Sequence, residues 1–180
     1  MKKLIVKLAF ILVMVTAIDA SARGGGQGGG DSLQGMGLRQ ASAGANVTVL
    51  SAAEQDTVLF MREEEKMARD VYLTLYKTWK KPVFNNIAAS EQRHMNAILK
   101  KLNLFGLLDP VLPKIGHFTN TDLQILYDQF ITPGKLSYKD ALAAGATIED
   151  MDIRDLQAAI AATDNLRLKT TYQNLLEGSK

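Results

Sequence analysis

Acidic residues and one of two histidines recur at helical spacing in this sequence of 180 residues. They stand in three places: the run Glu63-Glu64-Glu65, the pair Glu91-x-x-His94, and Glu149 with Asp152 one turn later. Residues three apart on a helix share a face, so Glu91 and His94 can offer an oxygen and a nitrogen to one cation. When successive residues are placed about 100° apart, each acid falls among apolar neighbours. Glu64 lies in the middle of the stripe Phe60, Met67, Ala68, Val71 and Leu75, with Glu63 and Glu65 on its flanks. Glu91 is near the centre of Ile87, Met95, Ile98, Leu99 and Leu102, with His94 toward one edge. Glu149 lies among Leu142, Gly145, Ile153, Leu156 and Ile160. An ionised carboxylate in a core costs several kcal/mol even after relaxation, so three aimed at one axis call for a compensating cation. Glu64, Glu91, His94 and Glu149 are therefore the expected metal ligands, with Asp152 a further candidate. Carboxylate with imidazole suits iron or manganese.

Helices must position these groups. Ser51-Ala52-Ala53-Glu54 is a capping-box pattern, and the helix it opens runs to about Trp79, ahead of Pro82. A second is expected from about Asn86 to Leu104, and a short one from about Thr121 to Ile131, ending at Thr132-Pro133-Gly134. Ser137 caps a third long helix reaching about Ala162, and Asp164 caps a fourth that runs on to Lys180. No stretch alternates with period two between turns. The fold class is all-α, a four-helix bundle with a long crossover carrying the short extra helix.

The N-terminal part is of another kind. Lys2, Lys3 and Lys7, the apolar run Leu8 to Ile18 and Ala20-Ser21-Ala22 form a secretory signal, residues 1–22. Residues 23–50 hold nine of the 14 glycines and read as a flexible linker; the domain proper is 51–180. Loss of the signal takes three Lys and one Asp from 21 basic and 19 acidic residues, leaving 18 of each. A neutral exported chain gives no electrostatic reason for a nucleic acid partner, and no second apolar stretch approaches membrane-spanning length. Absence of Cys excludes thiolate metal sites, disulfides and a Cys nucleophile.

The segments Glu63-Glu64-Glu65-Lys66-Met67-Ala68-Arg69-Asp70-Val71-Tyr72, Ser90-Glu91-Gln92-Arg93-His94-Met95 and Gly145-Ala146-Thr147-Ile148-Glu149-Asp150-Met151-Asp152-Ile153 resemble, in order, the family called domain of unknown function 2202. The resemblance covers about Leu50 to Lys180. It implies a ferritin-like bundle with a di-iron carboxylate centre, and ligand roles for Glu64, Glu91, His94 and Glu149. Metal ions and O2 or peroxide are the partners this implies, with oligomerisation compatible. In the family a fourth-helix Asn-His pair follows the equivalent of Gly178-Ser179-Lys180, and this sequence stops before it. The expectation is thus either that the sequence is truncated relative to a functional protein or that its site is reduced to one metal or none.

The alternative is a non-enzymatic interaction module with a remnant site. Asp150-x-Asp152 with Asp155 lacks the glycine and closing Glu of a calcium loop. His117 reads as a loop residue, and Met61, Met67, Met95 and Met151 as core filler.

Overall fold

Caps fix where the helices begin. A computed structural model describes residues 49–180, and the signal and most of the linker lie outside the described residues. Helix α1, Ala52–Trp79, opens on the expected capping box: the Ser51 hydroxyl accepts from the Glu54 amide while the Glu54 carboxylate accepts from the Ser51 amide. Helix α2, Pro82–Phe105, starts four residues earlier than expected. Proline at the first helical position lacks only a donor that would have no partner there, and its φ already suits a helix. Helix α3, Thr121–Gly134, is capped by Asn120 and carries Pro133 in its last turn, beyond the expected end at Ile131. Helix α4, Tyr138–Ala162, begins at the Ser137 cap. Helix α5, Leu166–Gly178, is capped by Asn165 rather than Asp164, because the Thr163 hydroxyl takes the Asn165 amide and draws the turn one residue on.

The described residues form five helices and no strand, so this part of the chain is all-α. Helix α1 packs on α2, α2 on α5, α5 on α4 and α4 on α1; α3 leans on α1 and α4. Two residues join α1 to α2, so the pair runs antiparallel. Tyr72 stacks on Phe84 with ring centroids 6.4 Å apart, and the Arg62 guanidinium reaches the Met95 carbonyl at 2.9 Å. Seven residues back from Tyr72 is Glu65, and seven on from Phe84 is Glu91. The register therefore sets these two acids opposite each other.

Helices α1 and α2 each bury a seam with alternating three- and four-residue steps. On α1 it is Val58, Met61, Glu65, Ala68, Tyr72 and Leu75; on α2 it is Phe84, Ala88, Glu91, Met95, Ile98 and Leu102; all are buried. On α4 it passes through Ala141, Ile148, Asp152, Leu156 and Ala159, and on α5 through Leu168, Tyr172 and Leu175. Leu142, expected in the α4 stripe, is 45% exposed, since the seam is turned away from it. The acids split the core in two. One apolar cluster gathers Met67, Val71, Tyr72, Leu75, Phe84, Leu123 and Ile148; the other gathers Val58, Met61, Ile98, Leu102, Leu156, Leu168 and Tyr172.

The α2–α3 connection is clamped to α1 by charges. Arg62 grips Asp109 with two nitrogens, at 3.1 and 2.8 Å. Glu63 accepts from the Thr119 and Asn120 amides at 2.7 and 2.9 Å. Lys66, with no exposed surface, donates to Asp70 and to the Lys114 and His117 carbonyls, and lies over the Phe118 ring. Asp70 also accepts from the Gly116 amide. Gly116 has φ +74°, and a Cβ there would meet the Tyr127 ring at 2.7 Å, so only glycine fits. His117 contributes its carbonyl and leaves its side chain exposed, in keeping with a loop role.

Candidate metal centre

Between the two apolar clusters lies a layer of ionisable side chains from three helices. Helix α1 supplies Glu64 and Glu65, α2 supplies Glu91 and His94, and α4 supplies Asp152 and, half-buried, Glu149; the first five are all buried. Their neighbours of opposite charge are committed elsewhere: Arg62 and Lys66 hold the crossover, and Arg69 bonds Asp70 and Gln92. The layer thus holds many acids and a single imidazole.

His94 Nδ1 sits 3.3 Å from a Glu65 oxygen and 3.2 Å from a Glu91 oxygen and makes a directed hydrogen bond to neither. Ligand atoms of Glu65, Glu91 and His94 all lie within 4.8 Å of one another, so this group is able to hold a metal ion. Both oxygens of Glu64, of Glu65 and of Asp152 are buried with no hydrogen-bond partner. Buried polar atoms are nearly always paired in proteins, and several orphans in one layer need a shared explanation. A cation held by Glu65, Glu91 and His94 would account for the Glu65 and His94 atoms among them.

The structure therefore brings Glu91 and His94 together with Glu65, which the facing argument left on a flank. Glu64 lies beside them, under the influence of Asp155 and Asp152 on α4. Asp152, the weaker candidate by sequence, occupies the α4 seam, whereas Glu149 stands on its flank and accepts a 2.5 Å hydrogen bond from the Tyr72 hydroxyl. The missed residue had a signal. Val58, Met61, Ala68, Tyr72 and Leu75 bracket Glu65 at heptad steps, and an edge-placed His94 needs a partner at the matching edge of the facing helix.

Burial and mutual repulsion hold the acids above their ordinary values. Burial, with Asp155, Asp152 and Glu65 nearby, raises Glu64 well above the carboxylate range. Burial raises Glu65 likewise, against the opposing pull of His94. Glu149 is pushed up to about 7, by burial first and by Glu91 and Asp152, with Tyr72 opposing. Asp152 is pushed up to about 6 by burial and Glu91, the nearby Ser179 hydroxyl offsetting part of this while donating to the Leu175 carbonyl. For His94, burial lowers the value, but the Glu65 and Glu91 carboxylates outweigh it and raise it to about 10.

These directions share one sign. The folded metal-free chain holds protons on Asp152 and Glu149 over a range, from about 4 to about 7, where the unfolded chain has released them, so stability falls as pH rises. His94 contributes stability that is complete below 6.5 and lost as pH rises through about 10. Glu54 and Asp109, held below their ordinary values, act the other way only in stronger acid. After chelator treatment, urea titrations at a series of pH values are expected to place maximal stability near about pH 4–5, with a steady decline toward pH 9. A maximum above pH 7 would contradict this electrostatic picture.

An all-helical protein with a buried carboxylate–imidazole group is thus defined. Residues 54–180 match the family described as an uncharacterized protein domain, DUF2202, and the chain belongs to that family. It is 48% identical over 132 residues to the uncharacterized protein MJ0754 of Methanocaldococcus jannaschii, covering 73% of this chain and 71% of that one. The crystal structure of the hypothetical protein MJ0754 is similar, with a TM-score of 0.71 at 49% identity over 72% of this chain and 75% of the other.

Proposed function

We propose that the chain is an exported, ferritin-like metal-binding protein whose buried acid layer holds iron or manganese. The single observation that carries this is the buried group of Glu65, Glu91 and His94, whose ligand atoms all lie within 4.8 Å of one another. The ring of α1, α2, α5 and α4, with α3 on the long connection from α2 to α4, supports the ferritin-like four-helix reading. Export rests on the signal at residues 1–22; no described helix is long and apolar enough to cross a membrane.

Glu65, Glu91 and His94 would hold the ion, with Glu64, Glu149 and Asp152 as the remaining donors around one or two metals. Hard carboxylate oxygens with one borderline nitrogen fit iron or manganese and offer nothing soft to Cu(I). Bound iron or manganese would supply reaction with O2 or peroxide, as an oxidase, a ferroxidase or a peroxide-removing centre. The chain's own part is to bind, to orient and to exclude water. The two apolar clusters close the layer above and below. Tyr72 donates to Glu149 at 2.5 Å and so holds a proton at the half-buried edge of the site.

Loading with Fe(II), Mn(II) or Zn(II), dialysis and elemental mass spectrometry test the assignment. One or two ions per chain are expected, with Glu91→Ala losing them while keeping its helical circular dichroism. Wild-type stoichiometry in Glu91→Ala would sink the assignment, and absence of metal from both chains would favour a non-enzymatic helical module.

A further inference from the structure

The last turn of α5 comes closer to the site than any side chain on it would allow. Extending the α5 seam Leu168, Tyr172 and Leu175 by one step reaches Ser179, next to Gly178, at the level of the acid layer. A Cβ on Gly178 would stand 2.7 Å from His94 Nε2 and 3.3 Å from His94 Cε1. The first distance is well inside van der Waals contact. Backbone conformation does not ask for glycine here: Gly178 is the final residue of a regular helix and is not among the positive-φ glycines. The contact with His94 is what asks for it.

We propose that Gly178 is a positioning residue for His94, setting the imidazole so that Nδ1 stays between Glu65 and Glu91. The inference rests on the metal-binding reading of that group. His94 leaves α2 toward an opening bounded by Glu65, Glu91 and the end of α5. The two carboxylates fix where Nδ1 lies, at 3.3 and 3.2 Å, and the bare backbone of Gly178 fixes where the ring's other edge lies. A methyl group at 178 meets the far end of a rotatable ring rather than main chain. The ring gives way, and Nδ1 leaves the two oxygens. The fold loses little, since alanine is a better helix former than glycine.

Affinity and stability should therefore move apart. In the full chain, Mn(II) binding followed by the electron paramagnetic resonance of free Mn(II) is expected to weaken about tenfold or more in Gly178→Ala, the scale on which outer contacts of a ligating histidine act. The thermal midpoint of the metal-free protein should stay level or rise. Glu177→Ala, at an exposed neighbour paired with Lys180, should change neither. In a His94→Ala background, Gly178→Ala should alter Mn(II) affinity less than about twofold, because the group it acts through is gone. Unchanged affinity in Gly178→Ala, beside a Glu91→Ala variant that loses metal, would overturn the positioning role and leave the metal site standing. Equal losses in both backgrounds, or a fall in the metal-free midpoint, would also overturn it. No Mn(II) binding by the wild-type chain would remove the underlying reading and this inference with it.

Discussion

Glu65→Met is expected to strip the chain of its metal and, in the metal-free state near neutral pH, to make it more stable. Glu65 occupies a seam position whose other members are Val58, Met61, Ala68, Tyr72 and Leu75, all almost without solvent contact. Methionine matches its length and suits that seam. Glu65 is 1% exposed, has both oxygens unpaired, and faces Glu91 across the α1–α2 interface. Without a cation it must either stay protonated or remain ionised with the His94 imidazole as its one favourable neighbour among other acids. Replacing buried charge by a well-packed apolar side chain commonly stabilises by about 1–4 kcal/mol, and a gain on that scale is expected here. Urea denaturation of chelator-treated protein and elemental analysis of metal-loaded protein check the two halves together. A destabilised Glu65→Met variant would mean that Glu65 is satisfied by the protein itself, and the case for a cation would weaken accordingly.

The opposite result is expected at the other buried charge pair of α1. Lys66 and Asp70 are both without exposed surface, 2.5 Å apart, and Asp70 also receives Arg69 and the Gly116 amide. Asp70→Ala leaves the Lys66 ammonium with two carbonyls and the Phe118 ring as its only partners. Breaking a buried pair by removing one member costs about 3–5 kcal/mol, and the unfolding free energy from urea denaturation should fall by that amount. Metal stoichiometry at permissive temperature should not change, since Asp70 belongs to the crossover clamp and not to the acid layer. Lys66→Met combined with Asp70→Leu should recover much of the loss. Equal destabilisation by the single and double variants would show that the Gly116 and Arg69 contacts, rather than the stranded lysine, carry the cost.

These two contrasts explain how far the chain could be read before its structure. Apolar periodicity put a carboxylate on the inner face of three helices, and the Glu91-x-x-His94 spacing marked the pair the structure sets beside Glu65. Periodicity taken at 100° per residue centred α1 on Glu64, yet residues 61 to 68 of that helix are buried all round. A helix enclosed on every side has two inward seams, and only the heptad-stepped one leads to Glu65. The same coarse centring favoured Glu149 over Asp152 on α4 and placed Leu142 in the core, whereas it is exposed. The roles of Arg62, Glu63, Lys66 and Asp70 were not legible. Three of the four bind main-chain groups of the connection between α2 and α3, whose positions follow from tertiary packing. The close approach of Gly178 to His94 was hidden for the same reason: spacing along α5 says which residue comes next, not how near the neighbouring helix stands.

The claim on which the rest depends is that the buried acid layer is a cation site. Crystals of the chain loaded with Fe(II) or Mn(II) and measured at the absorption edge of the metal test it most directly. An anomalous peak within coordinating distance of His94 Nδ1 and of the Glu65 and Glu91 oxygens, roughly 2.0–2.3 Å, is the predicted result. No peak in the layer, with Glu64, Glu65 and Asp152 hydrogen-bonded to one another as neutral acids, would contradict the account.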